Sequence, residues 1–226
     1  FDMTIGATGL NEAAAQAAKL DYDKVYLLPS SHAGYYPGAE PISLNTLFEK
    51  STGRVLGAQL IGFDGVDKRL DVLATAIYAG MTAEDLTELE LGYAPPFSSA
   101  KDPVNMAGFM IQNLLEGKVK QYHWQQVPQL LAEGCTLVDV RTPAEYTLGH
   151  IEGAINIPVD ELRSRLGELD KTKPLYIYCQ SGQRSYLATR ILAGNGFDVS
   201  HLAGGYRLYA SAALGLGSSL SCTKCR

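Results

Sequence analysis

The chain has 226 residues, 46% of them hydrophobic and 19% charged, with a formal net charge of −5. That is enough apolar material for one or two packed domains. The mild acidity lacks the basic signature of nucleic-acid binding, and no run reaches the ~20 apolar residues of a membrane span.

Residues 9–20 are alanine-rich and read as a helix, and Lys24 to Leu28 as a strand. Pro29 to Gly38 is turn-rich and holds Tyr35 and Tyr36. Residues 42–48 and 54–62 read as paired strands joined by a turn at Gly53. A helix follows over 66–79 with Leu70, Leu73, Ala74 and Ile77 on one face, stopped by Gly80. Thr82 caps a further helical turn with acids at its start. Ala94-Pro95-Pro96-Phe97 must be a loop. Asp102-Pro103 opens a helix whose inward stripe is expected to be Met106, Met110 and Leu114.

The texture changes after Gly117–Tyr122. Residues 136–140, 175–179 and 199–202 read as strands, and Ala154 to Pro158 as extended. Helices are expected from Pro143, over 160–169 and over 185–194, the last ended by Gly194-Asn195-Gly196. Strands alternating with helices imply an α/β unit with a parallel sheet. The division gives 1–118, then 119–215, then a flexible tail over 216–226. Residues 1–118 carry 15 acidic against 8 basic side chains, and residues 119–226 carry 9 against 11. The second unit is thus the better suited to small anionic substrates.

The chemistry concentrates at Cys179-Gln180-Ser181-Gly182-Gln183-Arg184-Ser185, between an apolar strand and a helix. A thiol at a strand end facing a helix N-terminus meets backbone N–H groups and positive dipole. That field favours the nucleophilic thiolate, and the same amides can cradle an anion on the sulfur. The plain alternative is a buried small hydrophobe; it suits Cys135 better than Cys179. Cys222 and Cys225 form a terminal CxxC, which suits a redox pair, half a metal site or a disordered tail. Four cysteines are no disulfide framework. A reactive thiol and no signal peptide point to a reducing cytoplasm. The opening Phe1-Asp2-Met3 leads us to expect a piece of a longer protein.

Residues 138–141 with Pro143, Glu145 and Tyr146, then Gly149-His150-Ile151, Gly153 to Pro158, the Cys179 loop and Leu202-Ala203-Gly204-Gly205-Tyr206 resemble a single-domain rhodanese, with Tyr209 where that family often has tryptophan. The resemblance implies a sulfurtransferase in which Cys179 holds sulfane sulfur as a persulfide. Arg184 and the loop residues Gln180, Ser181, Gly182, Gln183 and Ser185 would bind the anion. Asp139, Arg141, Glu145 and His150 would hold the scaffold. Arg184 lies five residues after Cys179, one short of the related phosphatase loop, which argues against aryl phosphate or arsenate chemistry.

Ser31 to Ala39, Gly65 to Arg69 and Leu91 to Pro103 resemble the C-terminal dimerisation domain of the coenzyme A–disulfide reductase group of flavin- and pyridine-nucleotide-dependent reductases. The resemblance implies a homodimer through residues 1–118. Tyr93 and one of Tyr35/Tyr36, Tyr35 the better match, would reach the partner's flavin site as catalytic phenols, with Tyr36 and Lys101 on the substrate. The expected fold is α/β and α+β: an antiparallel sheet with helices, then a rhodanese-like parallel sheet flanked by helices. No GxGxxG follows a strand and residues 1–118 hold no cysteine. FAD, NAD(P)H and coenzyme A are therefore expected of a longer parent and not of this chain alone, and small thiol or persulfide substrates of the second unit. Neither metal nor nucleic acid nor membrane is expected as a partner. The other reading is a dimerisation and docking module with little turnover of its own.

Overall fold

The computed structural model describes residues 2–215. The chain divides between Gly117 and Lys118 into two compact units. Cys222 and Cys225 lie outside the described residues.

The first unit is built on an antiparallel sheet of β1 (Thr4–Gly9), β2 (Tyr22–Leu27), β3 (Ser43–Glu49) and β4 (Val55–Gly62), in the order β1-β4-β3-β2. The short helix α1 (Glu12–Ala17) covers Leu47 and Leu56 through the buried Ala15. On the other side, α2 (Val66–Tyr78), α3 (Ala83–Glu88) and α4 (Pro103–Leu115) close a core of Leu44, Leu60, Leu73, Leu86 and Val104. Thr82 and Asp102 cap α3 and α4, each in a reciprocal capping box.

Two helix faces are turned from the expected ones. In α2 the buried positions are Val66, Arg69, Leu73 and Ala76, so a charged residue sits inside the apolar stripe. In α4 they are Val104, Asn105, Ala107, Gly108 and Ile111, while Met106 is exposed. The cause is close approach: a Cβ on Gly108 would lie 2.6 Å from the carbonyl oxygen of Ala83. The small-residue face therefore meets α3 and Met106 turns outward, whereas Met110 and Leu114 pack as expected, against Val25, Phe48 and Ile111.

The second unit is a parallel sheet of β5 (Gln121–Tyr122), β6 (Thr136–Asp139), β7 (Ile155–Asn156), β8 (Leu175–Tyr178) and β9 (Val199–Leu202), ordered β5-β9-β8-β6-β7. Its helices are α5 (Val127–Ala132), α6 (Pro143–Leu148), α7 (Gln183–Gly194) and α8 (Gly205–Gly215). The period of two along β8 sorts the core. Leu175, Ile177 and then Cys179 pack with Ala188 and Leu192 of α7, whereas Tyr178 packs with Tyr122, Leu202 and Tyr206 on the opposite face. Residues 160–169 are not the expected helix. They form successive tight turns, Ser164 N to Glu161 O and Arg165 N to Leu162 O, ending in a 3₁₀ turn over Leu166–Glu168. Leu162 and Leu169 anchor the segment in the core, and Gly167 weakens any longer helix. Helix α7 starts at Gln183, two residues earlier than expected, because Gly182 serves as its cap.

His201 on β9 is buried, with neither ring nitrogen hydrogen-bonded, and its ring meets Tyr186 edge-on. Burial, aided by the charge of His123, lowers its pKa to about 4. The unfolded chain binds this proton more tightly, so stability present above about pH 6.5 falls as pH drops toward 4. At pH 5 the loss amounts to about 2 kcal/mol. Urea midpoints at pH 7 and pH 5 check it: the wild type should lose that much more than His201→Phe.

Candidate functional site

In the second unit, three strand ends converge at the carboxyl edge of the sheet. Asp139, at the end of β6, takes a two-point ion pair from the buried Arg141, with Nη2 to Oδ2 at 2.6 Å. The guanidinium also serves the loops: Nη1 donates to Gln180 Oε1 at 3.0 Å, and Nη2 donates in addition to the Gly149 carbonyl at 2.7 Å. The guanidinium also lies 4.2 Å from the Tyr206 ring centroid.

Cys179 follows β8 and is 1% exposed. The Gly182 amide donates to its Sγ at 3.2 Å. The Ser185 hydroxyl donates to the Gly182 carbonyl at 2.9 Å, which ties the first turn of α7 to its cap. The first turn of α8 closes the loop from behind, Tyr206 N donating to Cys179 O at 2.8 Å and Arg207 N to Gln180 O at 3.0 Å. Gly205 is required there. Its φ is +66°, and a Cβ would stand 2.6 Å from the Cys179 carbonyl oxygen. Ser181 is half-buried at the rim, and Gln183 is exposed at the start of α7.

Arg184 is not an open cation. It makes a two-point ion pair with Glu145 of α6, at 2.6 and 2.8 Å. The pair holds the Glu145 carboxyl down to about 2. It also raises the Arg184 pKa, as does, less strongly, negative charge on the Cys179 sulfur. Cys135 is half-buried, and burial pushes its thiol up, the opposite of an activated nucleophile. No cluster of three metal-ligating side chains exists among the described residues.

In the first unit, Tyr35 and Tyr93 meet, their hydroxyls 2.9 Å apart and both rings exposed. The loops that carry them are tied by Arg69, which is 2% exposed. Its Nη2 reaches Asp102 Oδ2 at 2.9 Å, the Ser31 carbonyl at 2.6 Å and the Phe97 carbonyl at 3.3 Å. Ser98 adds a hydroxyl bond to Asp102 at 2.7 Å, and its carbonyl accepts from Ala33 N at 3.2 Å. Tyr36 lies beside the pair with its ring edge-on to His32. Lys101 is exposed, its ammonium 5.2 Å from the Phe109 ring centroid. Sequence reasoning missed Arg69 as an organiser; the available signal was an arginine in phase with Val66 and Leu73.

Two outcomes follow from this geometry. Asp102→Asn leaves the Arg69 charge buried without its counter-ion, which costs about 3–5 kcal/mol; urea unfolding measures it. The hydrogen bond to Tyr93 raises the Tyr35 pKa. In Tyr93→Phe the Tyr35 phenol should titrate at lower pH, read from the ring carbons by NMR.

Residues 123–212 match the family model of the rhodanese-like domain. Residues 1–103 match that of the pyridine nucleotide-disulphide oxidoreductase dimerisation domain. The coenzyme A disulfide reductase of Staphylococcus epidermidis is 41% identical over 112 residues, which is 50% of this chain and 25% of the relative. Among solved structures, reduced Bacillus anthracis CoADR-RHD matches with a TM-score of 0.93 and 47% identity, over 95% of this chain and 39% of that one. An NAD-dependent persulfide reductase from A. fulgidus matches with a TM-score of 0.82 and 40% identity, over 91% of this chain and 37% of that one. The chain thus spans between 25% and 39% of the length of these relatives. By sequence and by fold it belongs to the pyridine nucleotide-disulphide oxidoreductase dimerisation family over residues 1–103 and to the rhodanese-like family over residues 123–212.

Proposed function

We propose that the second unit is a sulfurtransferase whose Cys179 carries sulfane sulfur as a persulfide. The observation that carries this reading is the Gly182 N–H on Cys179 Sγ, at the mouth of α7, in a rhodanese-like domain. The thiolate attacks the outer sulfur of a donor. A new S–S bond forms on Cys179, the donor's S–S bond breaks, and its electron pair leaves with the donor remnant. Negative charge then rests on the outer sulfur, close to the amides of the loop. Arg141 acts as a positioning residue, holding the loop through Gln180.

The first unit pairs with a second copy, in keeping with its family, and presents Tyr35 and Tyr93 at that interface as a hydrogen-bonded phenol pair. A phenol brought within hydrogen-bond reach of a departing thiolate can pass it a proton. The names of the relatives point to coenzyme A disulfide or persulfide reduction as the larger activity, and Tyr36 and Lys101 would serve its substrate. Neither sheet carries a glycine-rich dinucleotide turn, so the described residues do not fit a flavin or nicotinamide site. FAD and NAD(P)H would be held by residues other than these. No helix among the described residues is long and apolar enough to cross a membrane.

Intact mass spectrometry after exposure to polysulfide tests the assignment, with peptide mapping to locate the sulfur. The wild type should gain one sulfur mass on the Cys179 peptide, and Cys179→Ser should not. An equal gain in both proteins, or none in either, would set the reading aside.

A further inference from the structure

The turn that carries Tyr35 is anchored at its base and open at its tip. Tyr36 N donates to Ala33 O at 2.9 Å and closes it, with Gly34 and Tyr35 exposed between. Ala33 is buried, and its N–H donates to Ser98 O at 3.2 Å, in the loop that follows Tyr93. The two phenols stand on unequal supports. Beyond Tyr93 come Pro95 and Pro96, which restrict the backbone. Phe97 N and Ser98 N both donate to Ala94 O there, at 2.8 and 3.1 Å. Beside Tyr35 stands Gly34, which leaves the backbone many conformations. Arg69 fixes the carbonyls of Ser31 and Phe97, both outside the Tyr35 turn. The place of Tyr35 therefore depends on what else holds Ala33.

His32 is the side chain at that point. It is 6% exposed, and its Nδ1 lies 3.2 Å from Ala33 O. A carbonyl oxygen only accepts, so Nδ1 carries the proton and donates. The ring also meets Tyr36 edge-on, with centroids 5.6 Å apart, so His32 touches both the first and the last residue of the turn. Packing alone would be served by an apolar ring, whereas a buried imidazole needs a polar partner. We propose that His32 is a positioning residue for the Tyr35–Tyr93 phenol pair, its Nδ1–H bond to Ala33 O setting the turn that brings the Tyr35 hydroxyl to Tyr93. The inference rests on the reading of those tyrosines as a hydrogen-bonded catalytic pair. His32 acts through the backbone of the turn and takes no part in proton transfer itself.

The experiment titrates the Tyr35 ring carbons by NMR in the full chain, as wild type and as Tyr93→Phe, His32→Asn, His32→Gln and His32→Phe, with a urea midpoint for each. Asparagine places its amide nitrogen where Nδ1 stands, and glutamine where Nε2 stands, so of the three replacements only asparagine keeps the bond. Tyr93→Phe removes the hydrogen bond that raises the Tyr35 pKa and so sets the full downward shift. His32→Gln and His32→Phe should each give about half of that shift or more, and His32→Asn less than about a quarter, because a hydrogen bond weakens steeply once misaligned. A lower urea midpoint with the Tyr35 titration unmoved in His32→Gln and His32→Phe would mark a packing role and overturn the inference. Equal shifts in all three His32 variants would assign the effect to the ring against Tyr36 and would overturn it too. Should His32→Phe not fold, the contrast of His32→Asn with His32→Gln decides alone. A Tyr35 titration unmoved in Tyr93→Phe would instead remove the underlying reading of the phenol pair.

Discussion

Each unit hangs its chemistry on one buried arginine bound to one buried carboxylate. In the first, Arg69 and Asp102 are both 2% exposed, and in the second Asp139 is 0% exposed and Arg141 2%. Burying such a pair is costly in desolvation and adds little net stability by itself. What it supplies is position. A guanidinium has five donors in a rigid plane, so once its carboxylate is fixed the remaining donors point at fixed places. Arg69 aims them at the carbonyls of Ser31 and Phe97, and Arg141 at Gln180 and the Gly149 carbonyl. Loops with few apolar anchors of their own thereby take one conformation.

The placement of Cys179 follows from elementary sheet geometry. Side chains alternate along β8, so the residue after Tyr178 falls on the α7 face with Ile177 and Leu175. The parallel sheet gathers the ends of β6, β8 and β9 at one edge, which is where α/β sheets carry their sites. The loop then has only to turn its amides toward the sulfur, and Gly182 does so while capping α7.

Much of this was legible in the chain itself. The run Leu175 to Tyr178 is apolar and aromatic, and the following thiol, glycine and arginine have the residue types and spacing of an anion-cradling loop. The caps at Thr82 and Asp102 were readable for the same local reason. The paired tyrosines were suggested by resemblance, but their mutual contact was not, because Tyr35 and Tyr93 are 58 residues apart. The Glu145–Arg184 pair escaped for the same cause, 39 residues separating its partners. Strand β1 was hidden by its glycines, which weaken any strand pattern. Helix α8 was hidden by Gly204-Gly205, two residues of low helix propensity at the point where it starts. In α2, an arginine in the apolar stripe made the buried face ambiguous until Asp102 was seen beneath it.

The closure of the Cys179 loop by α8 ties two parts of the unit into one opening event. The carbonyls of Cys179 and Gln180 have their partners in the amides of Tyr206 and Arg207. The loop cannot bare those oxygens unless the first turn of α8 lifts away, and α8 cannot lift without loosening the ring that covers Arg141. Loop and helix therefore belong to a single cooperative segment in the sense of local unfolding. The lifetime of the reactive geometry is set by the docking of a helix that contributes no reacting atom.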